Sequence, residues 1–239
     1  MVFVIPWLDR RFLIVGTTDV AQIAGPDEVR CTDEERRYLL DAYNRYFTWP
    51  GGTAAEADIV FAWSGVRALH DDHEAKPSRI SRAPALSVKS NGTGGFVTLY
   101  GGKLTTHRAF AEEVVDELRK LRASVGSGWT KGVPLYGGTM PRASLLALAA
   151  EGPKAIEHDT RRRWALSYGD QIQHLFDKVL QEPKLADEIV PGVTIAELAY
   201  ARGVEDAITG EDFLLRRTKL HLLLDEAGRK RVNGWFEEG

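Results

Sequence analysis

Cysteine is almost absent from this sequence of 239 residues, and long apolar runs are missing altogether. Cys31 is the only cysteine, which excludes an intrachain disulfide framework and a cysteine-cluster metal site. No run of about 18 apolar residues occurs, so the sequence contains no transmembrane helix. The first residues have neither the basic start nor the small-residue cleavage site of a signal peptide. Together these absences predict a soluble, cytoplasmic protein.

The sequence also lacks an excess of either charge. Its 31 Lys and Arg residues face 34 Asp and Glu residues, giving a net charge of −3 and a pI near 6.1. This balance argues against nucleic-acid binding, which needs a basic surface. The sequence patterns of zinc proteases and serine hydrolases are absent as well. His70 and His73 flank two aspartates in a polar stretch, which favours a solvated loop over a metal site.

The first half of the sequence has the pattern of a sheet. Its short apolar runs are rich in β-branched and aromatic residues and are bounded by Gly, Pro, Asp or Asn, which is typical of strands. They predict a mixed or antiparallel sheet of at least five strands, with helices over about 33–47 and 103–123. Thr32 and Glu35 have capping-box spacing at the start of the first helix. The predicted strands are 2–7, 12–15, 59–69, 80–88 and 96–100.

The second half has only helical periodicity, so the fold class is α+β. Residues 1–124 are predicted to form the sheet region and residues 125–239 an all-helical domain. The length favours one large or two small domains, and the change of pattern divides the sequence in two. The predicted helices are 142–151, 157–168, 170–181, 194–202, 211–223 and 225–237.

Five strands with only two helices leave the predicted sheet poorly covered. An apolar sheet face or open edge usually packs against more protein. The sequence also starts almost directly with an apolar, strand-like run at residues 2–7. Two interpretations stay open: a fragment or subunit that needs a partner, or an ordinary N-terminal strand in a complete small domain.

The most informative motif lies at residues 94–106, which read as a strand, a tight glycine turn and a helix start. Gly101 and Gly102 would let a ligand approach the backbone closely. Free amides at the helix start favour an anionic or electron-rich group, and Lys103 adds a cation. The spacing is neither that of a Walker motif nor GxGxxG. A plain strand-to-helix turn is the alternative.

Two further segments carry polar residues at the ends of apolar runs. Arg67 either faces solvent at a strand end or points into a polar pocket that holds a carboxylate or phosphate. Thr17 and Thr18 lie either at a binding edge or in a simple turn after a strand. The basic clusters at 161–163 and 216–219 are interpreted as solvated helix faces, with a partner or acidic-lipid surface as the alternative.

Five segments in this order resemble the C-terminal half of the FAD-dependent (aerobic, respiratory) glycerol-3-phosphate dehydrogenases. The resemblance implies a glycine/D-amino-acid-oxidase-like fold, in which residues 1–124 are part of the substrate-binding sheet and the closing segment of the FAD-binding domain. It also implies oxidation of sn-glycerol 3-phosphate to dihydroxyacetone phosphate by hydride transfer to FAD, with electrons passed to quinone. The segments are 3–7, 16–19, 63–67, 101–106 and 216–219.

The same resemblance assigns roles by position. Arg67 and Lys103 would be catalytic, with Arg67 facing the substrate and Lys103 near the flavin. Ala83 and Pro84 after Arg82 depart from the expected pattern. Implied substrate-binding residues are Arg67, Arg82, Thr17 and Thr18. Implied cofactor-binding residues are Gly101, Gly102, Lys103, Leu104 and Thr105.

The GxGxxG fingerprint that binds the dinucleotide pyrophosphate is absent from this sequence. We therefore expect that the chain alone neither retains FAD nor turns over substrate, and that its partner is an N-terminal FAD-binding half. Two alternatives stay open: a fragment of a glycerophosphate oxidase, which uses oxygen as acceptor, and a non-catalytic helical docking module. The resemblance also implies weak peripheral association with the cytoplasmic face of the membrane.

Overall fold

The computed structural model describes residues 2–8, 10–21, 25–48, 51–67, 83–121, 124 and 126–238. The chain separates into two compact units, unit 1 at residues 1–132 and unit 2 at residues 133–239. This division falls eight residues after the predicted boundary. The α+β fold class is confirmed, since helices are combined with small antiparallel sheets.

The strands of unit 1 form two separate hairpins. Strand β1 (Phe3–Trp7) pairs antiparallel with β2 (Phe12–Gly16), and β3 (Ala85–Ser90) pairs antiparallel with β4 (Gly95–Tyr100). The prediction of one sheet with at least five strands is therefore wrong for the described residues. Of the predicted strand 59–69, the described part 59–67 is not a strand. An apolar run becomes a strand only where a neighbour accepts its backbone hydrogen bonds, and no described strand pairs with this run.

The helices of unit 1 confirm the prediction. Helix α1 (Asp33–Tyr46) starts with a complete capping box: Glu35 N donates to Thr32 Oγ1 at 3.2 Å, and Thr32 N donates to Glu35 Oε2 at 3.0 Å. Helix α2 (His107–Lys120) is preceded by one 3₁₀ turn and buries Phe110. Capping and helical spacing are local signals, so they could be identified without knowledge of tertiary contacts.

Unit 1 has very little core. Among its described residues, the buried apolar side chains are Tyr43, Ala54 and Phe110. Strand β1 has apolar side chains on both faces, because neighbouring residues of a strand point to opposite sides. Phe3, Ile5 and Trp7 are 40%, 46% and 37% exposed. A strand that is apolar on both faces is typical of a sheet covered on both sides, and the described part of unit 1 does not supply that cover.

Unit 2 contains five α-helices and a π-helix packed around two apolar clusters. One cluster centres on Trp164 and Ile172, the other on Phe213, Leu198 and Val232, and all five side chains are fully buried. The helices are α3 (Arg142–Glu151), α4 (His158–Tyr168), α5 (Ile172–Gln181), α6 (Ile195–Val204), the π-helix (Asp212–Arg217) and α7 (Glu226–Glu238).

A short antiparallel hairpin also belongs to unit 2, and the sequence analysis did not predict it. Strands β5 (Glu188–Val190) and β6 (Val193–Thr194) pair through Val190 and Val193, whose side chains are buried in the second cluster. The strands are so short that they leave no period-two pattern to recognise in the sequence. The second unit is therefore helical apart from this hairpin.

The first basic cluster, residues 161–163, is not a solvated helix face, and this corrects the sequence interpretation. Arg161 is only 5% exposed, and its Nη1 donates to the carbonyl oxygens of Gly152, Pro153 and Ile156 at 3.2, 2.7 and 3.0 Å. Arg163 is also largely buried, with 19% of its side chain exposed beside Glu197. A guanidinium can be buried where its N–H groups find acceptors.

The second basic cluster, residues 216–219, ends the π-helix. Arg217 Nε and Nη2 donate to Glu205 O at 2.9 and 2.7 Å, and Lys219 Nζ donates to Arg216 O at 2.9 Å. Arg216 Nη1 lies 3.0 Å from Asp212 Oδ1. Because the last carbonyls of a helix lack partners within it, Arg217 caps the end of α6 and Lys219 caps the π-helix, whereas Arg216 pairs with a side chain.

Neither a membrane span nor a metal cluster appears in the described ranges. No helix there is both long and apolar enough to cross a bilayer. Those ranges also bring no three His, Cys, Asp or Glu side chains together in a way that could hold a metal ion.

Candidate functional site

The site begins at the end of β2, where residues 16–19 leave the strand. Gly16 is buried against the ring of Phe3, and a Cβ atom at this position would lie 2.9 Å from Phe3 Cζ. A larger residue at this position would have to displace the aromatic ring. The next residues turn outward: Thr17 is exposed, whereas Thr18 and Asp19 are partly buried.

Thr18 is tied to the start of helix α1. Its Oγ1 donates to Glu35 Oε1 at 2.5 Å, while Glu35 Oε2 accepts the backbone N–H of Thr32. These hydrogen bonds, the one from Thr18 first, hold the pKa of the Glu35 carboxyl below its usual value. The hydroxyl proton of Thr18 is thereby used within the protein, so this side chain could only accept a hydrogen bond from a ligand.

Arg67 is paired with a carboxylate. Its Nη1 lies 2.6 Å from Oδ2 of Asp19, a residue 48 positions earlier in the chain. The Arg67 side chain is 40% exposed and that of Asp19 is 24% exposed. A guanidinium has five N–H donors, and the contact with Asp19 uses one of them. Arg67 can therefore also meet an anionic ligand.

The glycine turn at residues 101–106 is exposed throughout. Gly101 and Gly102 have φ values of 64° and 98°, a region that side chains with a Cβ rarely adopt. Lys103 comes directly before the 3₁₀ turn Leu104–Thr106, which leads into α2. Within the described part of the chain, no acceptor meets the backbone N–H groups of Leu104 and Thr105.

These features of the turn fit a flavin. Backbone without side chains at two positions permits close approach, and N–H groups without acceptors suit an electron-rich ring edge. Lys103 adds a positive charge at the same helix start. A turn sealed inside a core would have contradicted this assignment, and residues 101–107 are instead all exposed.

The structure brings Arg67 to the end of β2 through Asp19, and each of the predicted residues Thr18 and Arg67 pairs with a residue outside the predicted set. It places Thr18 beside Glu35 and Arg67 beside Asp19, and no hydrogen bond or ion pair between described residues joins Arg67 to the turn at 101–106. Arg82 lies outside the described residues. The pairing of Asp19 with Arg67 was not predicted from the sequence. The signal available was a carboxylate three residues after a strand and an arginine at the end of another apolar run.

Comparison with known proteins gives family matches along almost the whole chain. Residues 1–117 match the family model described as FAD dependent oxidoreductase, and residues 129–237 match the one described as the C-terminal domain of alpha-glycerophosphate oxidase. A solved structure of glycerol-3-phosphate dehydrogenase from Bacillus halodurans, complexed with FAD, superposes with a TM-score of 0.73 at 26% identity. The superposition covers 94% of this chain and 44% of that one.

Curated relatives cover the chain from end to end. The glycerol-3-phosphate dehydrogenase of Pseudomonas aeruginosa is 35% identical over 240 residues, 99% of this chain and 46% of the relative. The aerobic enzyme of Escherichia coli K12 is 33% identical over 100% of this chain and 47% of its own length. D-erythritol 1-phosphate dehydrogenase of Brucella abortus is 30% identical over 99% of this chain and 47% of its own length.

The chain thus spans about half the length of the curated relatives it matches. The two family models follow each other along the chain, in the order that the sequence resemblance predicted. The chain therefore belongs to the FAD-dependent oxidoreductases and is similar to about half the length of the curated glycerol-3-phosphate dehydrogenases.

Proposed function

We propose that this chain supplies substrate-facing and flavin-facing segments of an enzyme that oxidises sn-glycerol 3-phosphate to dihydroxyacetone phosphate. The observation that carries the proposal is the succession of both family models along the chain, together with relatives of 33% and 35% identity that are named glycerol-3-phosphate dehydrogenases. The exposed guanidinium of Arg67 and the exposed glycine turn give the chain groups suited to each ligand.

Arg67 is the proposed substrate-binding cation among the described residues. A planar guanidinium with several donors suits a phosphate or another oxygen anion, and its pairing with Asp19 still leaves donors for a ligand. Thr17 presents an exposed hydroxyl near the same strand end, whereas Thr18 can contribute only its lone pairs. Arg82 stays the proposed second phosphate ligand on the basis of the sequence resemblance alone.

Gly101, Gly102, Lys103, Leu104 and Thr105 are the proposed flavin contacts. When bound, FAD would accept a hydride from carbon 2 of the substrate. The proton of the hydroxyl group on that carbon would pass to a base. In this chain, the ammonium of Lys103 and the amides of Leu104 and Thr105 would stabilise the negative charge that develops on the ring. Both catalytic assignments, Arg67 and Lys103, belong to this proposal.

The sequence does not contain the GxGxxG fingerprint for the pyrophosphate, so firm FAD binding requires further polypeptide. The exposed apolar face that Phe3, Ile5 and Trp7 form on strand β1 is suited to pack against such an FAD-binding half. We therefore expect the chain alone to be inactive and free of FAD. We call the complex of this chain with the unmatched part of the Pseudomonas aeruginosa relative the completed enzyme.

The test is reconstitution of the completed enzyme from separately purified parts. We expect no flavin absorbance in the chain alone, and dye-linked oxidation of glycerol 3-phosphate after mixing with the FAD-binding part. A stoichiometric flavin band in the chain alone would contradict the inactivity proposal. Failure of the two parts to associate would instead favour the non-catalytic docking module.

Oxygen is a second candidate for the electron acceptor, and one observation favours it. Residues 129–237 match a domain described from an alpha-glycerophosphate oxidase, so a glycerophosphate oxidase with oxygen as acceptor is the alternative to a quinone-linked dehydrogenase. Formation of hydrogen peroxide by the completed enzyme would favour the oxidase. Reduction of a soluble quinone without peroxide would favour the dehydrogenase. The erythritol-phosphate relative also makes a longer polyol phosphate a second substrate to test.

A peripheral location on the cytoplasmic face of the membrane belongs to the same proposal, because the resemblance implies it. The basic clusters contribute little to it, since Arg161, Arg163 and Arg217 bind groups within unit 2. Flotation of the completed enzyme with anionic vesicles at low salt is the test. Protein that stays out of the vesicle fraction would contradict a peripheral location.

A further inference from the structure

We propose that Asp19 is a positioning residue, which holds the guanidinium of Arg67 in the orientation needed to meet the substrate. This inference rests on the proposed function, because it assumes that Arg67 binds the substrate. The observation behind it is the contact of 2.6 Å between Arg67 Nη1 and Asp19 Oδ2, which links two segments far apart in the sequence.

The contact can orient Arg67 because a partly exposed arginine is otherwise mobile. An arginine with 40% of its side chain exposed can adopt many rotamers, and a charge-assisted hydrogen bond selects among them. Asp19 is less exposed than Arg67, so the carboxylate is the better fixed of the two groups. With Nη1 held there, fewer orientations of the guanidinium and of its other donors remain open.

The backbone that carries Asp19 is itself anchored on both sides. Gly16 packs beneath the ring of Phe3, and Thr18 donates to Glu35, which is part of the capping box of helix α1. The hydrogen-bonded chain therefore runs from the helix start through Glu35 and Thr18 to the residue next in sequence. This arrangement gives the Asp19 carboxylate a defined position from which to hold Arg67.

Asp19 could instead act through its negative charge, and the direction in which KM changes on its removal separates this role from positioning. A carboxylate beside Arg67 partly cancels the positive charge that would attract a phosphate. If Asp19 acted mainly through charge, its removal would strengthen substrate binding and lower KM. If it positions Arg67, its removal raises KM and lowers kcat, because a misoriented donor is lost both in the bound complex and in the transition state.

The experiment compares Asp19→Ala and Asp19→Asn in the completed enzyme. We expect kcat/KM to fall on the order of 10- to 100-fold for Asp19→Ala, with KM raised. Asp19→Asn keeps an acceptor oxygen at the same distance and should fall less. Asp116→Asn is the matched control, because Asp116 forms an ion pair of the same length, 2.6 Å, with Arg119 on the surface of α2. Unchanged or lower KM in Asp19→Ala would overturn the proposal.

The double variant Arg67→Lys/Asp19→Ala distinguishes this inference from the proposed function. If Asp19 acts through Arg67, the double variant is about as active as Arg67→Lys alone. If the double variant instead loses the product of the two single-variant losses in kcat/KM, Asp19 has a separate role and the inference is wrong. If Arg67→Lys alone has no effect, the assumption about Arg67 fails, and with it the proposed substrate contact.

A measurement on the completed enzyme in the absence of substrate completes the test. The reaction of Arg67 with phenylglyoxal, followed by peptide mass spectrometry, reports how freely the guanidinium moves and reacts. We expect Asp19→Ala to react several-fold faster at Arg67, with no change at Arg119. The same reaction rate at Arg67 in both proteins would overturn the claim that Asp19 restrains it.

Discussion

Arg163 holds the fully buried carboxylate of Glu197 at both oxygens. Its Nη2 donates to Glu197 Oε2 at 2.7 Å, Nη1 donates to Oε1, and Tyr168 OH adds a hydrogen bond to Oε1 at 2.9 Å. Nη2 also donates to Gly192 O, in the turn of the β5–β6 hairpin, at 2.7 Å. One ion pair thus joins helix α4, helix α6 and the hairpin of unit 2.

We predict that Arg163→Ala lowers the free energy of unfolding of unit 2 by about 3–5 kcal/mol. The reason is that Glu197 would stay in the core without its counter-charge. Urea unfolding followed by tryptophan fluorescence measures the effect. Lys230→Ala is the control, because Lys230 pairs with Glu226 at the surface and its loss should cost less than about 1 kcal/mol. Equal losses of unfolding free energy in the two variants would show that the buried Arg163–Glu197 pair stabilises unit 2 no more than a surface pair.

Helices could be predicted from the sequence because their signals are local. The capping box of Thr32 and Glu35 and the spacing of apolar residues located α1, and the same spacing located the α-helices of unit 2. The predicted helix 211–223 is instead a π-helix that ends at Arg217, followed by the 3₁₀ turn Leu220–Leu222. The burial of Arg161 and Arg163 could not be predicted, because it depends on acceptors that other elements supply. Glu197, for example, lies 34 residues after Arg163.

The sheet and the site were predictable only in part, for a related reason. Strand pairing depends on which neighbour is present, so the apolar run at 59–67 could not be assigned from its composition. The glycine turn at 101–106 was located correctly, since glycine pairs before a helix are a local pattern. The partner of Arg67 was not identified, because the ion pair with Asp19 depends on the tertiary fold.

Unit 2 is predicted to fold by itself, whereas unit 1 is not. Both apolar clusters lie within residues 133–239, and the described part of unit 1 buries only three apolar side chains. A fragment of residues 133–239 should therefore show a cooperative thermal transition and strong near-UV circular dichroism. A fragment of residues 1–132 should bind the dye ANS and lack a sharp transition. The opposite behaviour of the two fragments would contradict this division.

His221 makes the stability of unit 2 depend on pH. The side chain is 6% exposed, and burial lowers the pKa of its imidazole below the ordinary value of 6.5. The unfolded chain therefore binds a proton at a higher pH than the folded unit, so stability falls as the pH drops below about 6.5. Above that pH the contribution of His221 is fully present, and one proton changes stability by at most ~1.4 kcal/mol per pH unit.

The measurement compares urea unfolding at pH 7.5 and pH 5.0 for unit 2 and for its His221→Gln variant. We expect the loss of stability between the two pH values to be smaller in the variant, since it has no imidazole to protonate. His158→Gln is the control, because the side chain of His158 is 61% exposed. A loss in His221→Gln as large as that of the natural sequence would show that other groups cause the pH dependence.

The last prediction concerns the glycine turn and depends on the proposed flavin contact. Lys103→Met in the completed enzyme should lower kcat on the order of 100-fold while KM changes little, because the ammonium acts on charge that develops during the reaction. The same variant should also make the flavin harder to reduce, which a redox titration measures without turnover. Lys120→Met is the control, since Lys120 lies at the far end of α2 in a surface pair with Glu117. A flavin potential that is equal in the two variants would show that Lys103 does not face the ring.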